Sequence, residues 1–132
     1  MAGTVRACDA ATSYDTDLRA CLDEAAAYGQ VNAAPVIRAC DEHTSHGWEL
    51  KRCVESAREL ERERVATVDA CGEATSYSQQ LQRCIEDADE MRSRDRVAII
   101  RACGESTRHG HQLRSCMQAA DTPLRSRRVA RR

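Results

Sequence analysis

The sequence predicts an all-α fold of tandem disulfide-stapled helical hairpins, packed as a helical bundle or a short repeat array. Three observations point there. Eight cysteines fall in four pairs with twelve residues between partners: Cys8 and Cys21, Cys40 and Cys53, Cys71 and Cys84, Cys103 and Cys116. The first members recur at intervals of 32, 31 and 32 residues, a period typical of helical repeats. Alanine, arginine and glutamate are the most frequent residues of the chain, and these are good helix formers.

Each copy carries the same landmarks. Val or Ile stands three or four residues before the first Cys, and Thr four after it. Leu lies three before the second Cys, an aliphatic directly after it, and Ala four after it. In the second copy these are Val36, Ile37, Cys40, Thr44, Leu50, Cys53, Val54 and Ala57. The first and third copies share "TSY"; the second and fourth share "HG".

On a straight helix, thirteen residues make about 3.6 turns, which would put the two sulfurs on roughly opposite faces. Folding the segment at its midpoint instead brings them level across an antiparallel pair. The midpoints fall at Tyr14, between Ser45 and Gly47, at Tyr77 and near His109. Asp15 and Ser78 are expected to cap the returning helices through their side chains, with Gly47 and Gly110 serving through backbone freedom. The hairpin is the arrangement that joins the sulfurs.

The organisation expected is one helical domain over residues 1–122, with copies at about 4–30, 35–66, 67–97 and 98–121. A basic tail follows at 123–132. "YGQVNAAP" is a loop, with Pro35 placed to open the next helix. Elsewhere the breaks are faint. Leu50, Val54, Ala57, Glu61, Val65, Val68 and Cys71 keep a nearly seven-residue rhythm, and only Ser93 and Asp95 argue for a break after Gln79. Eight short helices in a stacked array fit. So do two long antiparallel helices, Trp48–Ala74 and Gln79–Ser106, with shorter hairpins docked on them, and this second arrangement is favoured.

With no phenylalanine, one tryptophan and three tyrosines among 132 residues, the core must be thin. Cross-links compensate in such small domains. Pairing is expected as Cys8–Cys21, Cys40–Cys53, Cys71–Cys84 and Cys103–Cys116. Each closes a loop of about 14 residues, worth about 3 kcal/mol on the chain-entropy account. An oxidising address follows, either secreted, periplasmic or lumenal. A cytoplasmic one follows only if the thiols are reduced. No stretch reaches the roughly 20 apolar residues of a transmembrane helix, and no charged and apolar export leader is visible at the start.

Net charge is −1, but it is unevenly placed. Setting aside Arg125, Arg127, Arg128, Arg131 and Arg132 leaves 15 basic residues against 21 acids, so the body carries about −6. The arginine tail reads as a docking segment for an anionic surface: nucleic acid, membrane or an acidic protein. No aromatics accompany it, unlike a stacking platform for single strands.

Catalytic signatures are missing. Glu59, Glu61, Glu63, Asp87, Asp89 and Glu90 alternate with arginines as on a solvated helix face. No nucleophile elbow or phosphate-cradling glycine loop occurs. Cysteine pairs at metal-site spacing are likewise missing, since zinc sites want two to four residues between paired ligands. His43, His46, His109 and His111 are the candidate metal ligands, and the long-helix arrangement would gather them at one end. Trp48 is a cap for the hairpin core or an exposed anchor, with core use favoured. The function these features imply is a disulfide-stabilised protein-binding or structural module, without catalysis or cofactor, meeting a protein partner on a helical face or on the turns. The alternative is copper or zinc binding or storage by cysteine thiolates and clustered histidines.

Overall fold

In the computed structural model, which describes residues 2–29, 31–107 and 112–121, the threonine after each first cysteine marks the end of a helix. Thr12, Thr44, Thr75 and Thr107 each fold a hydroxyl back to donate to the carbonyl of Cys8, Cys40, Cys71 or Cys103, at 2.8 Å in all four. A helix leaves its last carbonyls without intrahelical donors, and a side chain four residues on can supply one. The recurrent threonine is therefore a stop signal.

The helices it separates are short. They are α1 (Ala2–Ala11), α2 (Asp15–Ala26), α3 (Ala34–Glu42), α4 (Gly47–Arg58), α5 (Arg64–Ala74), α6 (Ser78–Glu90) and α7 (Arg96–Ser106). Residues 112–121 form an eighth, α8. No strand occurs among the described residues. The four cysteine pairs are bonded as the spacing predicts, with Cα atoms 5.6 or 5.7 Å apart. Each bridge joins the two helices of one hairpin.

The favoured long helices do not exist. Trp48–Ala74 is interrupted between Arg58 and Arg64, and Gln79–Ser106 between Glu90 and Arg96. The breaks use devices a local scan for glycine and capping residues misses. Glu63 adopts the left-handed conformation, φ 55°, ψ 35°, which a residue with a side chain enters at a cost of about 1–2 kcal/mol. Arg64 then reaches back, donating from Nε to the Ala57 carbonyl at 3.3 Å and from Nη2 to that of Arg58 at 3.2 Å. Buried Arg96 does the same one copy later, donating from Nη1 to Ala88 at 3.4 Å and from Nη2 to the carbonyl of Arg62. In both, a guanidinium from the next helix caps the previous one. The seven-residue rhythm is not a continuous buried face across the break: Glu61 and Val65 are exposed, and buried Leu60 lies out of step with it.

Same-numbered layers stack: α1 on α3, α3 on α5 and α5 on α7 in one layer, α2 on α4 and α4 on α6 in the other. The result is a two-layer array of hairpins. Between the layers lie the disulfides with Ile37, Leu50, Val54, Leu60, Val68, Leu81, Ile85, Ile100 and Met117, all buried. Of the half-cystines only Cys116, in the last hairpin, is partly exposed. Pro35 sits in the first turn of α3 as expected. The caps differ from expectation: Tyr14, His46 and Tyr77 occupy the capping position, in extended backbone and with exposed rings, while Asp15, Gly47 and Ser78 are the first helical residues. Gly110 lies outside the described residues.

Antiparallel hairpins stacked in this way put every bend on one edge of the array and every hairpin-to-hairpin loop on the other. We call these the turn edge and the loop edge.

Candidate functional site at the hairpin turns

The turn edge is built from one sequence position repeated. Two residues after each threonine comes a ring: Tyr14, His46, Tyr77 and, outside the described residues, His109. Tyr14 is 73 % exposed and Tyr77 71 %. Trp48, in the first turn of α4, is 53 % exposed, which contradicts the expected core use. The reason is its place in α4. Trp48 is the second residue of the helix, at the turn, while Leu50, Cys53, Val54 and Ala57 are the residues of that helix buried in the core. The Trp48 ring lies parallel to that of His46, centroids 6.4 Å apart, and the Arg52 guanidinium stands 5.4 Å from its centre. Of the four tyrosine and tryptophan side chains in the chain, only Tyr28 is buried. It lies beneath Arg64 and donates its hydroxyl to the Val54 carbonyl at 2.6 Å. Burial pushes its phenol well above the usual range.

Between the second and third turns lies an open groove of about 420 Å³, lined by His43, His46, Trp48, Glu49, Tyr77 and Ser78 among others. Burial works to raise the Glu49 carboxyl. Hydrogen bonds from the Ser78 side chain and from the backbone N–H groups of Ser45 and His46 outweigh it, so the group sits below the ordinary carboxylate range. Glu49 thereby ties the start of α4 to the start of α6. Asp17 holds the equivalent place in α2, close against Gly47. A Cβ on Gly47 would fall 2.1 Å from the Asp17 carboxyl carbon, so a side chain there would displace the Asp17 carboxylate.

The two edges differ in charge. Residues 9–18, 39–50 and 65–82 contain no lysine or arginine, yet hold Asp9, Asp15, Asp17, Asp41, Glu42, Glu49, Asp69 and Glu73. The loop edge carries Arg58, Arg62, Arg64, Arg92, Arg94 and Arg96 interleaved with Glu59, Glu61, Glu63, Glu90 and Asp95. The turn edge is aromatic and acidic apart from Arg52 over Trp48, and the loop edge is mixed in charge.

The gathering of four histidines at one end falls partly outside the described residues. It rested on the two long helices, which are broken, and His109 and His111 lie outside the described residues. His43 is partly buried, its Nε2 3.3 Å from Asp69 Oδ1, and its ring lies on α5 where a Cβ at Gly72 would come within 2.2 Å. Glu42, His43 and Asp69 offer ligand atoms within 4.8 Å of one another, the one such group among the described residues. His46 is not part of it. Arg125, Arg127, Arg128, Arg131 and Arg132 also lie outside the described residues.

Compared with known proteins, the chain matches no family model, no curated protein and no solved structure. Function therefore has to be argued from the site. Sequence reading missed the ring position and the capping arginines. Both carried a signal: a ring two residues past every threonine, and "RVA" at residues 64–66 and 96–98, seven residues ahead of Cys71 and Cys103. Among the described residues no helix is long and apolar enough to cross a membrane.

Proposed function

We propose that the protein is a disulfide-stapled helical-repeat scaffold that holds a protein partner against its turn edge and performs no catalysis itself. The observation that carries this is the placing of its rings. A chain with only four tyrosine and tryptophan residues and a thin core leaves three of them exposed on one edge. Aromatic side chains are enriched where proteins meet, because they offer large contact area at small entropic cost. Short stapled turns fix those rings in advance, which lowers the ordering cost of binding.

Four bonded cysteine pairs support an oxidising address, whether secreted, periplasmic or lumenal. Copper or zinc storage through thiolates finds no donors, since every cysteine is paired. What remains of a metal reading is the Glu42, His43 and Asp69 group, which elemental analysis of the isolated protein checks.

Two measurements test the proposal. Intact mass after alkylation under denaturing conditions should gain no alkyl groups before reduction and eight after it. Eight before reduction would remove the oxidising address. A photo-crosslinking residue in place of Tyr77 should trap a partner in the protein's native medium, while one in place of Arg62 on the loop edge should not. Equal trapping at both positions would discard the turn edge as the binding face.

A further inference from the structure

The turn edge has the chemistry that receives guanidinium groups, and this chain supplies such groups itself. We propose that the arginine segment 125–131 of one copy docks along the turn edge of a second copy, its arginines lying on the exposed rings and paired with the flanking carboxylates. The inference rests on the turn edge being the binding face and names what binds there.

Four observations support it. The first is charge: a stretch with five arginines and no acid faces an edge with eight acids and no lysine or arginine in its three turn segments. The second is ring chemistry. A guanidinium is planar and weakly hydrated, so it stacks on tryptophan and tyrosine and forks onto carboxylates, which an ammonium does less well. The protein already uses that contact twice, Arg52 over Trp48 and Arg64 over Tyr28. The rings of Tyr14 and Tyr77 have no such partner among the described residues.

The third is spacing. Helices packed in one layer stand about 8–10 Å apart, so successive turns, and the rings they carry, repeat at about that distance. A polyproline-II chain makes one turn in three residues and advances about 3.1 Å per residue, so residues three apart share one side about 9 Å apart. Arg125, Arg128 and Arg131 are three residues apart. In polyproline-II form they match a turn-to-turn repeat on one side of the chain, one arginine per ring.

The fourth is reach, which selects a second copy over the same one. α8 starts near the turn edge and runs away from it, so residue 121 stands at the loop edge. Returning along the ten residues of α8 takes about 15 Å. Arg125 lies four residues past 121 and reaches at most about 13–14 Å from it. A chain folding back on itself would bring only its last arginines to the nearest turns. A tail arriving from another molecule can lie along all of them.

The test uses the oxidised full chain and a variant with all five tail arginines changed to glutamine, with Trp48, the single tryptophan, as reporter. A synthetic peptide of sequence PLRSRRVARR is titrated into the variant. A saturable change in Trp48 emission is expected, weakened tenfold or more by Tyr77→Ser and by 0.5 M salt. A peptide with the same residues but its arginines contiguous should bind several-fold more weakly. Light scattering should show association of the unchanged chain rising with concentration and lost in the arginine-to-glutamine variant. No response to the peptide, or a response indifferent to Tyr77→Ser, overturns the proposal. If the peptide fails while the crosslinker at Tyr77 still traps another protein, the turn edge keeps its binding role and only the tail is ruled out as occupant. Circular dichroism confirms that Tyr77→Ser, at an exposed position, leaves the fold intact.

Discussion

The two edges of the array do the same topological task by opposite means. At the turn edge one solution is repeated: threonine onto the cysteine carbonyl, two further residues ending in a ring, and a returning helix. At the loop edge every connection is different. The first uses Tyr28, Gly29 at φ 67° and Asn32, whose side chain accepts from the N–H of Ala34 at 3.1 Å. The second uses Glu63 and Arg64. The third uses buried Ser93, whose N–H donates to Asp121 of α8 at 3.2 Å, together with Arg96. A bend closed by a disulfide has its length and level fixed, so one local sequence serves every copy. A loop between hairpins has only to bring the next pair into contact, and any group that satisfies the freed carbonyls will serve.

Removing bridges tests this contrast most severely. Replacing both Cys71 and Cys84 by alanine should lower stability by about 3 kcal/mol, measured by denaturant unfolding. The four bridges should also differ in resistance to reduction. Cys103–Cys116 should open first under limiting dithiothreitol, because Cys116 alone is partly exposed. Differential alkylation read by peptide mass would show that order, and a central bridge opening first would contradict it.

On the loop edge, Arg96→Ala should cost about 2 kcal/mol, since it strips donors from the carbonyls of Ala88 and Arg62 in a buried setting. A loss near zero in urea unfolding would mean those carbonyls find other donors. Gly72→Ala brings a methyl group against the His43 ring and should cost about 1–1.5 kcal/mol. Combining it with His43→Ala should recover most of that, and a double-mutant cycle measures the coupling. Glu63→Gly should stabilise by about 0.5–1 kcal/mol, because glycine enters the left-handed region freely. The same change at Glu61 should not.

The smallest effect is at the turn edge. Glu49→Gln should cost about 0.5–1 kcal/mol near neutral pH through the weakened link to the Ser45 and His46 N–H groups. The Glu49 carboxyl lies lower in the folded chain than in the unfolded one. Its contribution is therefore complete above the ordinary carboxylate range and is lost as pH falls through the lowered folded value. Thermal melts of the two proteins should converge in acid. A gap that persists there would assign the effect to packing rather than charge.

What could be read from the sequence follows the same division. The bridges, the hairpins and the threonine position were legible because each copy repeats them. The breaks at residues 59–63 and 91–95 were not. Their capping groups come from Arg64, Arg96 and Asp121, and the left-handed residue is a glutamate, where a local scan looks for glycine. Trp48 was placed in the core on the general habit of large aromatics, which disregards its place at the turn as the second residue of α4. Tyr14 and Tyr77 read only as hairpin midpoints, although "TSY" recurs, because a single tyrosine in a turn carries no weight until stacking sets several in a row.

All four bridges close within a hairpin, and none ties one hairpin to the next. Pulled lengthwise, such a chain can give up packing between neighbouring pairs, yet each sulfur link withholds about 40 Å of contour from the stretch. Under tension it would lengthen in short, separate increments and stop well before full extension, a behaviour suited to tethers that must yield without unravelling.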